Sequence, residues 1–316
     1  MDIPFLIKYK PNKLEDFEMD HKLIELLKNL IHVDKLNILL IGNSGCGKSS
    51  LINNLINIYY KDCNDYTDNI LFINSLKEQG IQYYRNEVKC FCQTTSTIMG
   101  KKKLLVLDDI DTINEQSQQV FRNCIDKYSN NVNFITTCTN PQKILESIQS
   151  RLLLIKIKPL EKQNLLNIMN KIQDREKIKI TGEAKEFVIN ICNNSIRLLI
   201  NYLEKFMLLD KEITLEYINE ICTNISFRKF EDFTTKTIKK KDLRGALNII
   251  YEIYDSGYSI MDILDNYFLF VKITDMLDDN KKYEIIKIIC KYITIVNDIH
   301  ESEVELAFFV NNLISL

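Results

Sequence analysis

Five short apolar runs divide the first half of the chain: "LNILLIG" (36–42), "NILFIN" (69–74), "KLLVLDD" (103–109), "NFITTC" (133–138) and "LLLIKI" (152–157). Each has the length of a strand. Their apolar residues stand at consecutive rather than alternate positions, the pattern of strands covered on both faces. Between the runs the period becomes helical. In "SSLINNLINIYY" (49–60) Leu51, Leu55 and Ile58 share one face, with Ile52 and Ile56 beside it, and "EQSQQVFRNCIDKYS" (115–129) carries a second such pattern. Strands alternating with helices predict an α/β fold with a parallel sheet and helices on both of its faces.

After "KPL" (158–160) the strand-like runs stop. Residues 161–228 read as a small helical domain, with "KIKITGEAKEFVINIC" (177–192) crossing into its second helix. Residues 229–316 read as another all-helical unit, in which "DLRGALNIIYEIYDSGYS" (242–259) is a helix stopped at Gly257. The expected division is therefore 1–160, 161–228 and 229–316.

Composition narrows the picture. A net charge of −2 over 316 residues leaves no overall footprint for a polyanion. Residues 229–316 hold 11 Lys+Arg against 15 Asp+Glu, so any such contact belongs nearer the N-terminus. Nine cysteines are scattered singly apart from Cys90 and Cys92, and His21, His32 and His300 lie far apart, so metal-ligand spacing is missing. Free thiols in a reducing, intracellular compartment are the simple reading. No apolar run approaches the ~18 residues of a membrane span, and "MDIPFLIKYKPNKLEDF" lacks the apolar core of a signal peptide.

The most specific chemistry lies in "GNSGCGKSS": Gly42, Asn43, Ser44, Gly45, Cys46, Gly47, Lys48, Ser49 and Ser50. This is G-x-x-x-x-G-K-[ST] between a predicted strand and a predicted helix. The glycines let the backbone curl so that its N–H groups face phosphates, and the helix N-terminus adds its positive dipole. Lys48 would reach the β- and γ-phosphates of ATP, and Ser49 would hold Mg²⁺. "LLVLDDID" supplies the expected partner. Asp108, at the end of an apolar strand, would orient the Mg²⁺ water shell, and Asp109 would position the attacking water. The competing reading is that acids after a strand merely cap the next helix. An Asn-Lys-x-Asp guanine motif is absent, which argues against a GTPase. Arg151, between "ESIQS" and an apolar strand, reads locally as a helix C-cap, a placement that stabilises by roughly 0.3–1 kcal/mol.

The order of these motifs resembles the small subunits of replication factor C, the AAA+ clamp loader, over nearly the whole chain. "PFLIKYKPNKLEDF" is similar to that family's opening Pro-Trp-x-x-Lys-Tyr-Arg-Pro segment, which borders the adenine and implicates Tyr9 and Pro11. "FINSLKEQGI" stands where the family has Asn-Ala-Ser-Asp-(Asp/Glu)-Arg-Gly-Ile. "QQVFRNCIDKY" resembles Gln-x-Ala-Leu-Arg-Arg-x-Met-Glu, and "KILESIQSR" resembles Lys-Ile-Ile-x-Pro-Ile-Gln-Ser-Arg-Cys. "NSIRLLINYLEKF" is similar to Gly-Asp-Met-Arg-x-Ala-Leu-Asn-x-Leu, and "GYSIMDIL" matches the Gly-Tyr segment of the helical collar.

The resemblance implies an AAA+ P-loop ATPase core, a helical lid at 161–228 and an oligomerising collar at 229–316. It implies sister AAA+ subunits, a heteropentamer, a ring-shaped sliding clamp of the PCNA type and primer–template DNA, at the nucleus or another site of DNA replication. Arg151 becomes an arginine finger for the neighbouring subunit's ATP. Arg197 takes the sensor-2 position, in the first turn of a helix capped by Ser195. Arg122 is a further candidate across the interface. Thr139 or Asn140 takes the sensor-1 position. Arg85 and Lys89 are candidates for DNA phosphates, with solvated surface charge as the alternative. The family's Asp-Glu-Ala-Asp reads Asp108-Asp109-Ile110-Asp111 here, so the catalytic Glu is one methylene shorter and hydrolysis at this chain's own site is expected to be slow. Alternatives are a non-hydrolysing scaffold subunit of the same complex, or another AAA+ replication ATPase such as an initiator or helicase loader.

Overall fold

The computed structural model describes all residues except 1–2, 62, 64, 75–79, 193, 210, 216, 219–224, 226 and 299–300. Residues 75–79 of the "FINSLKEQGI" segment, His300 and Cys222 therefore lie outside the described residues. Two compact units emerge, one formed by 1–177 with 194–208 and the other by 178–193 with 209–316.

The five apolar runs become five strands, β1 (Ile38–Ile41), β2 (Ile70–Asn74), β3 (Lys103–Asp108), β4 (Val132–Cys138) and β5 (Leu153–Lys156). They form one parallel sheet in the order β2-β3-β4-β1-β5. Alternation within each strand feeds two cores. Ile38 and Leu40 of β1, with Leu104, Val106 and Ile135, enter a core shared with helices α2 (His21–His32) and α3 (Lys48–Tyr59). Leu39, with Leu105, Leu107 and Phe134, enters the opposite core with α6 (Glu115–Tyr128) and the short α7 (Glu146–Gln149). A strand that must bury both faces has no room for polar alternation, which is why these runs look uninterrupted in sequence. The edges differ. Phe72 on β2 and Leu153 and Leu154 on β5 are each 44% exposed.

The remaining helices of this unit are α1 (Phe5–Lys8), α4 (Ile81–Tyr83), α5 (Lys89–Gln93), α8 (Lys162–Glu176) and α10 (Ile196–Leu209), with a π-helical turn at Tyr84–Val88 joining α4 to α5. α3 buries Leu51 and Leu55 with Ile52 and Ile56 beside them, as anticipated, and Tyr59 in addition, while Ile58 is only half-buried.

The second unit is helical. It contains α9 (Gly182–Ile191), α11 (Phe227–Thr234), α12 (Leu243–Asp255), α13 (Ile260–Ile273), α14 (Asp279–Asp298) and α15 (Glu303–Ile314). The helix anticipated at 242–259 is α12, capped by Asp242, whose side chain accepts from the Gly245 N–H, and followed by Gly257 at φ +95°. Aromatic rings stand among the aliphatic side chains of this unit's core: Phe230, Phe233, Tyr267, Phe270 and Phe309 are all essentially inaccessible to solvent. Among the described residues, no helix is long and apolar enough to cross a membrane.

Candidate nucleotide site

The parallel register brings the carboxyl ends of β1, β3 and β4 side by side. Leu40 lies opposite Thr137, Leu107 opposite Thr136, and Asp108 opposite Asn74. Gly42 follows β1, and its N–H donates to Cys138 O at 3.2 Å. The loop then turns through Gly45 (φ +78°) and Gly47 (φ +94°), conformations that L side chains seldom adopt. Gly47 also stands at the N-cap of α3 without a side chain to occupy the first N–H groups. The loop thus ends on a helix N-terminus whose donors face outward, an arrangement suited to anions.

Lys48 is only 7% exposed, and its Nζ donates to Gly42 O at 2.7 Å and Asn43 O at 3.0 Å. The ammonium is thereby folded back along its own loop. Ser49 Oγ donates to Asp108 Oδ2 at 2.9 Å, so the hydroxyl and carboxylate paired in the sequence reading do meet. Thr137 was not singled out from sequence, yet it completes this cluster. Its hydroxyl donates to the other Asp108 oxygen at 2.5 Å and accepts from the Asp109 N–H at 2.8 Å. The available signal was a pair of threonines within a fully buried strand.

Asp109 adopts φ +56°, ψ 56° at the start of the Ile110–Thr112 turn and makes no side-chain cap bond there. The capping alternative is therefore not realised by its carboxylate. Burial, and then the neighbouring Asp108 charge, push its pKa above the ordinary aspartate value. Asp111 goes the other way. Burial opposes its ionisation, but donors from Thr139 and Asn140 outweigh that and hold its pKa low. Asp111 Oδ2 accepts from Thr139 N (3.1 Å), Thr139 Oγ1 (2.6 Å) and Asn140 N (2.9 Å). Asn140 Oδ1 accepts from Gln142 N at 3.0 Å and caps the following turn. Both sensor-1 candidates are thus tied to local structure, and the β4 hydroxyl bonded to Asp108 belongs to Thr137.

Two more segments approach the loop. Ser195 Oγ accepts from Leu198 N at 3.5 Å, placing exposed Arg197 in the first turn of α10, as the capping argument anticipated. A Cβ on Gly45 would collide with Ser195 Oγ and stand 3.6 Å from Arg197 Cβ, so glycine is what lets α10 begin beside the loop. A Cβ on Gly47 would lie 3.9 Å from the Phe17 ring, which brings the N-terminal segment alongside as well. Tyr9 donates its hydroxyl to Glu176 on α8, and Lys8 pairs with the same carboxylate at 2.6 Å. Burial first, and Glu176 second, push the Tyr9 pKa up to about 12. Pro11 is half-buried between α1 and the Leu14–Asp16 turn. Asn43 and Ser44 are exposed on the loop, while Cys46 and Ser50 are half-buried.

Arg151 follows α7. Its Nη1 donates to Ser147 O at 2.6 Å, a helix-capping contact, and its Nε donates to Asp126 Oδ1 of α6 at 2.5 Å. Arg85 and Lys89 are exposed and line a cleft of about 710 Å³ with Ile81, Asn123, Lys127 and Tyr128.

Residues 38–160 match the ATPase family associated with various cellular activities (AAA), and residues 232–303 match the Replication factor C C-terminal domain. The Thermotoga maritima RuvB Holliday junction branch migration motor superposes with a TM-score of 0.51 at 14% identity, over 73% of this chain and 79% of that one. Domain III of the Thermotoga maritima replication initiation protein DnaA does so with a TM-score of 0.51 at 18% identity, over 65% and 93%. At those identities the likeness is one of fold, and with the phosphate loop it defines an AAA+ nucleotide-binding ATPase fold. Sequence relatives are more particular. The Replication factor C small subunit of Methanococcus maripaludis is 27% identical over 282 residues, 89% of each chain. Replication factor C subunit 4 of Oryza sativa is 27% identical over 283 residues, 88% of this chain and 82% of that one. Together, the two family matches and these relatives support a replication factor C small subunit across most of the chain.

Proposed function

We propose that the chain is an ATP-binding subunit of a clamp loader, which joins sister AAA+ subunits in a heteropentamer and helps place a ring-shaped sliding clamp on primer–template DNA. The observation that carries this reading is one chain holding both an AAA core and the Replication factor C C-terminal domain, aligned over 89% of a small-subunit relative. The three-part division into core (1–160), lid (161–228) and collar (229–316) belongs to this proposal, as does action at the site of DNA replication.

The residues at the loop fit ATP with Mg²⁺. The N–H groups at the start of α3 suit phosphate oxygens, and Lys48 Nζ stands at the same loop. Ser49 Oγ and the Asp108 carboxylate, 2.9 Å apart, are the hard oxygen donors that Mg²⁺ takes. When bound, Mg²⁺ would neutralise charge on the β- and γ-phosphates. Thr137 holds Asp108 in place and anchors the Asp109 backbone. Asp109 would accept a hydrogen bond from water, and Arg197, in the first turn of α10, would reach the γ-phosphate. Arg151 would serve a neighbour's site, where a planar, bidentate guanidinium answers charge developing on phosphate. Arg85 and Lys89 would meet DNA phosphates.

The test is to purify the tagged chain with its native partners and determine the mass and composition of the assembly with and without ATP. A five-membered assembly of related AAA+ chains that retains a ring clamp with ATP supports the reading. A homohexamer, or an assembly that binds no ring, would refute it in favour of another AAA+ machine. A non-hydrolysing scaffold role is favoured by one observation, Asp109 in the place of Glu. Under that reading Asp109→Glu raises turnover of the assembled complex several-fold, and an unchanged rate removes the case for it.

A further inference from the structure

Two arginines converge on one aspartate at the end of the unit that carries Arg151. Asp126 lies in the last turn of α6 and Arg122 one turn before it. Asp126 Oδ1 receives Arg151 Nε at 2.5 Å, while Asp126 Oδ2 faces Arg122 Nε at 4.0 Å. Arg122 donates through Nη2 to Asn123 Oδ1 at 2.8 Å, and its buried Nε has no hydrogen-bond partner. A single carboxylate therefore sits between two guanidiniums that would otherwise repel one another. Its contribution to folding is small, because the three side chains are 34–40% exposed and surface ion pairs contribute little to stability.

Its effect on geometry is larger. Arg151 is held at two of its three nitrogens, Nε by Asp126 and Nη1 by Ser147 O. A guanidinium on a freely rotating stem loses rotamer entropy each time it docks on an anion, and one already clamped loses less. The clamp also fixes the plane of the fork, which decides whether two N–H groups can meet one phosphate together.

We propose that Asp126 is a positioning residue for Arg151: by gripping the Nε edge, and by offsetting the charge of Arg122, it holds the guanidinium ready for a phosphate on a neighbouring subunit. This rests on the reading of Arg151 as a finger acting in trans, and the test separates the two. ATP turnover is measured on the assembled complex carrying Asp126→Asn, Asp126→Glu, Arg151→Ala or the double variant Asp126→Asn with Arg151→Ala.

The expected result is a fall of about tenfold in kcat for Asp126→Asn at unchanged KM for ATP, with part of the loss recovered by Asp126→Glu. The double variant should be no slower than Arg151→Ala alone, because the two residues act as one device. Nucleotide binding by this chain and its melting temperature should stay at the unsubstituted values. A deficit in Arg151→Ala with full activity in Asp126→Asn would overturn the positioning role and leave the finger intact. Additive losses would overturn it too. A faster Asp126→Asn enzyme would overturn it as well, because the carboxylate would then restrain Arg151 rather than ready it. Full activity in Arg151→Ala would remove the finger reading and this inference together.

Discussion

The two units bury different chemistry. Among the described residues, nine polar or charged side chains are buried in the sheet-bearing unit: Lys48, Asn54, Asn69, Lys103, Ser117, Gln118, Asn133, Thr136 and Thr137. The helical unit buries three, Thr234, Thr237 and Thr274. A helix satisfies its own backbone, so a helical core can be filled with rings. Phe230 meets Tyr267 at 5.4 Å, Tyr267 meets Phe309 at 6.0 Å, and Thr237 merely returns its hydroxyl to Phe233 O one turn back. A parallel sheet satisfies its strands but leaves the loops at its ends short of partners, and buried side chains must supply them. Gln118 donates to Ile113 O (3.2 Å) and Lys143 O (3.0 Å) and accepts from Leu145 N (3.0 Å). Asn133 accepts from Leu36 N at 3.2 Å and donates to Asp34 at 2.9 Å. The difference teaches that the polar interior serves the loops, and that the candidate chemistry stands on those loops.

That contrast can be broken from either side. The largest effect is expected in the helical unit. Phe230→Ala should lower stability by about 3–5 kcal/mol through lost burial and a residual cavity, while ATP affinity at the phosphate loop is retained. Calorimetry with and without nucleotide would check this, and equal losses of binding and stability would mean the two interiors are not separable in function. Gln118→Leu comes next. It leaves loop carbonyls and one N–H without a partner, at about 1–3 kcal/mol, and because the Ile113 carbonyl lies just after the turn that follows Asp109 it should weaken nucleotide binding as well. Denaturant melts and a binding titration of one preparation would show both changes. The smallest effect is electrostatic. The depressed pKa of Asp111 means its carboxylate stabilises the fold above the unfolded value, a contribution lost as pH falls through the folded one. Between about pH 5 and 3 the melting temperature should therefore fall more steeply in the parent than in Asp111→Asn. Asp109, shifted upward, contributes a slope of the opposite sign to both proteins.

Much of the fold was legible because its signals are local. The five strands fall within a residue or two of the apolar runs, and the helices at 49–60 and 115–129 appear as Lys48–Tyr59 and Glu115–Tyr128. The loop glycines, Lys48, Ser49 and Asp108 were legible because phosphate chemistry demands those types at that spacing. Thr137 was hidden by its place in an apolar strand, where its value depends on which strand lies beside it. Asp126 was hidden within an amphipathic helix, where one acid looks like any other surface charge.

By itself, the sequence determined the elements and the contiguous motif, because periodicity, glycine freedom and helix capping act over a few residues. Only the tertiary structure decided the strand order β2-β3-β4-β1-β5, and with it the meeting of Ser49, Asp108 and Thr137. The tertiary structure also decided that helix α10 begins against Gly45 and that Arg151 rests on Asp126. These pairings join residues from 25 to more than 100 positions apart. They depend on register and on how two cores fill opposite faces of one sheet, which no short stretch of chain encodes.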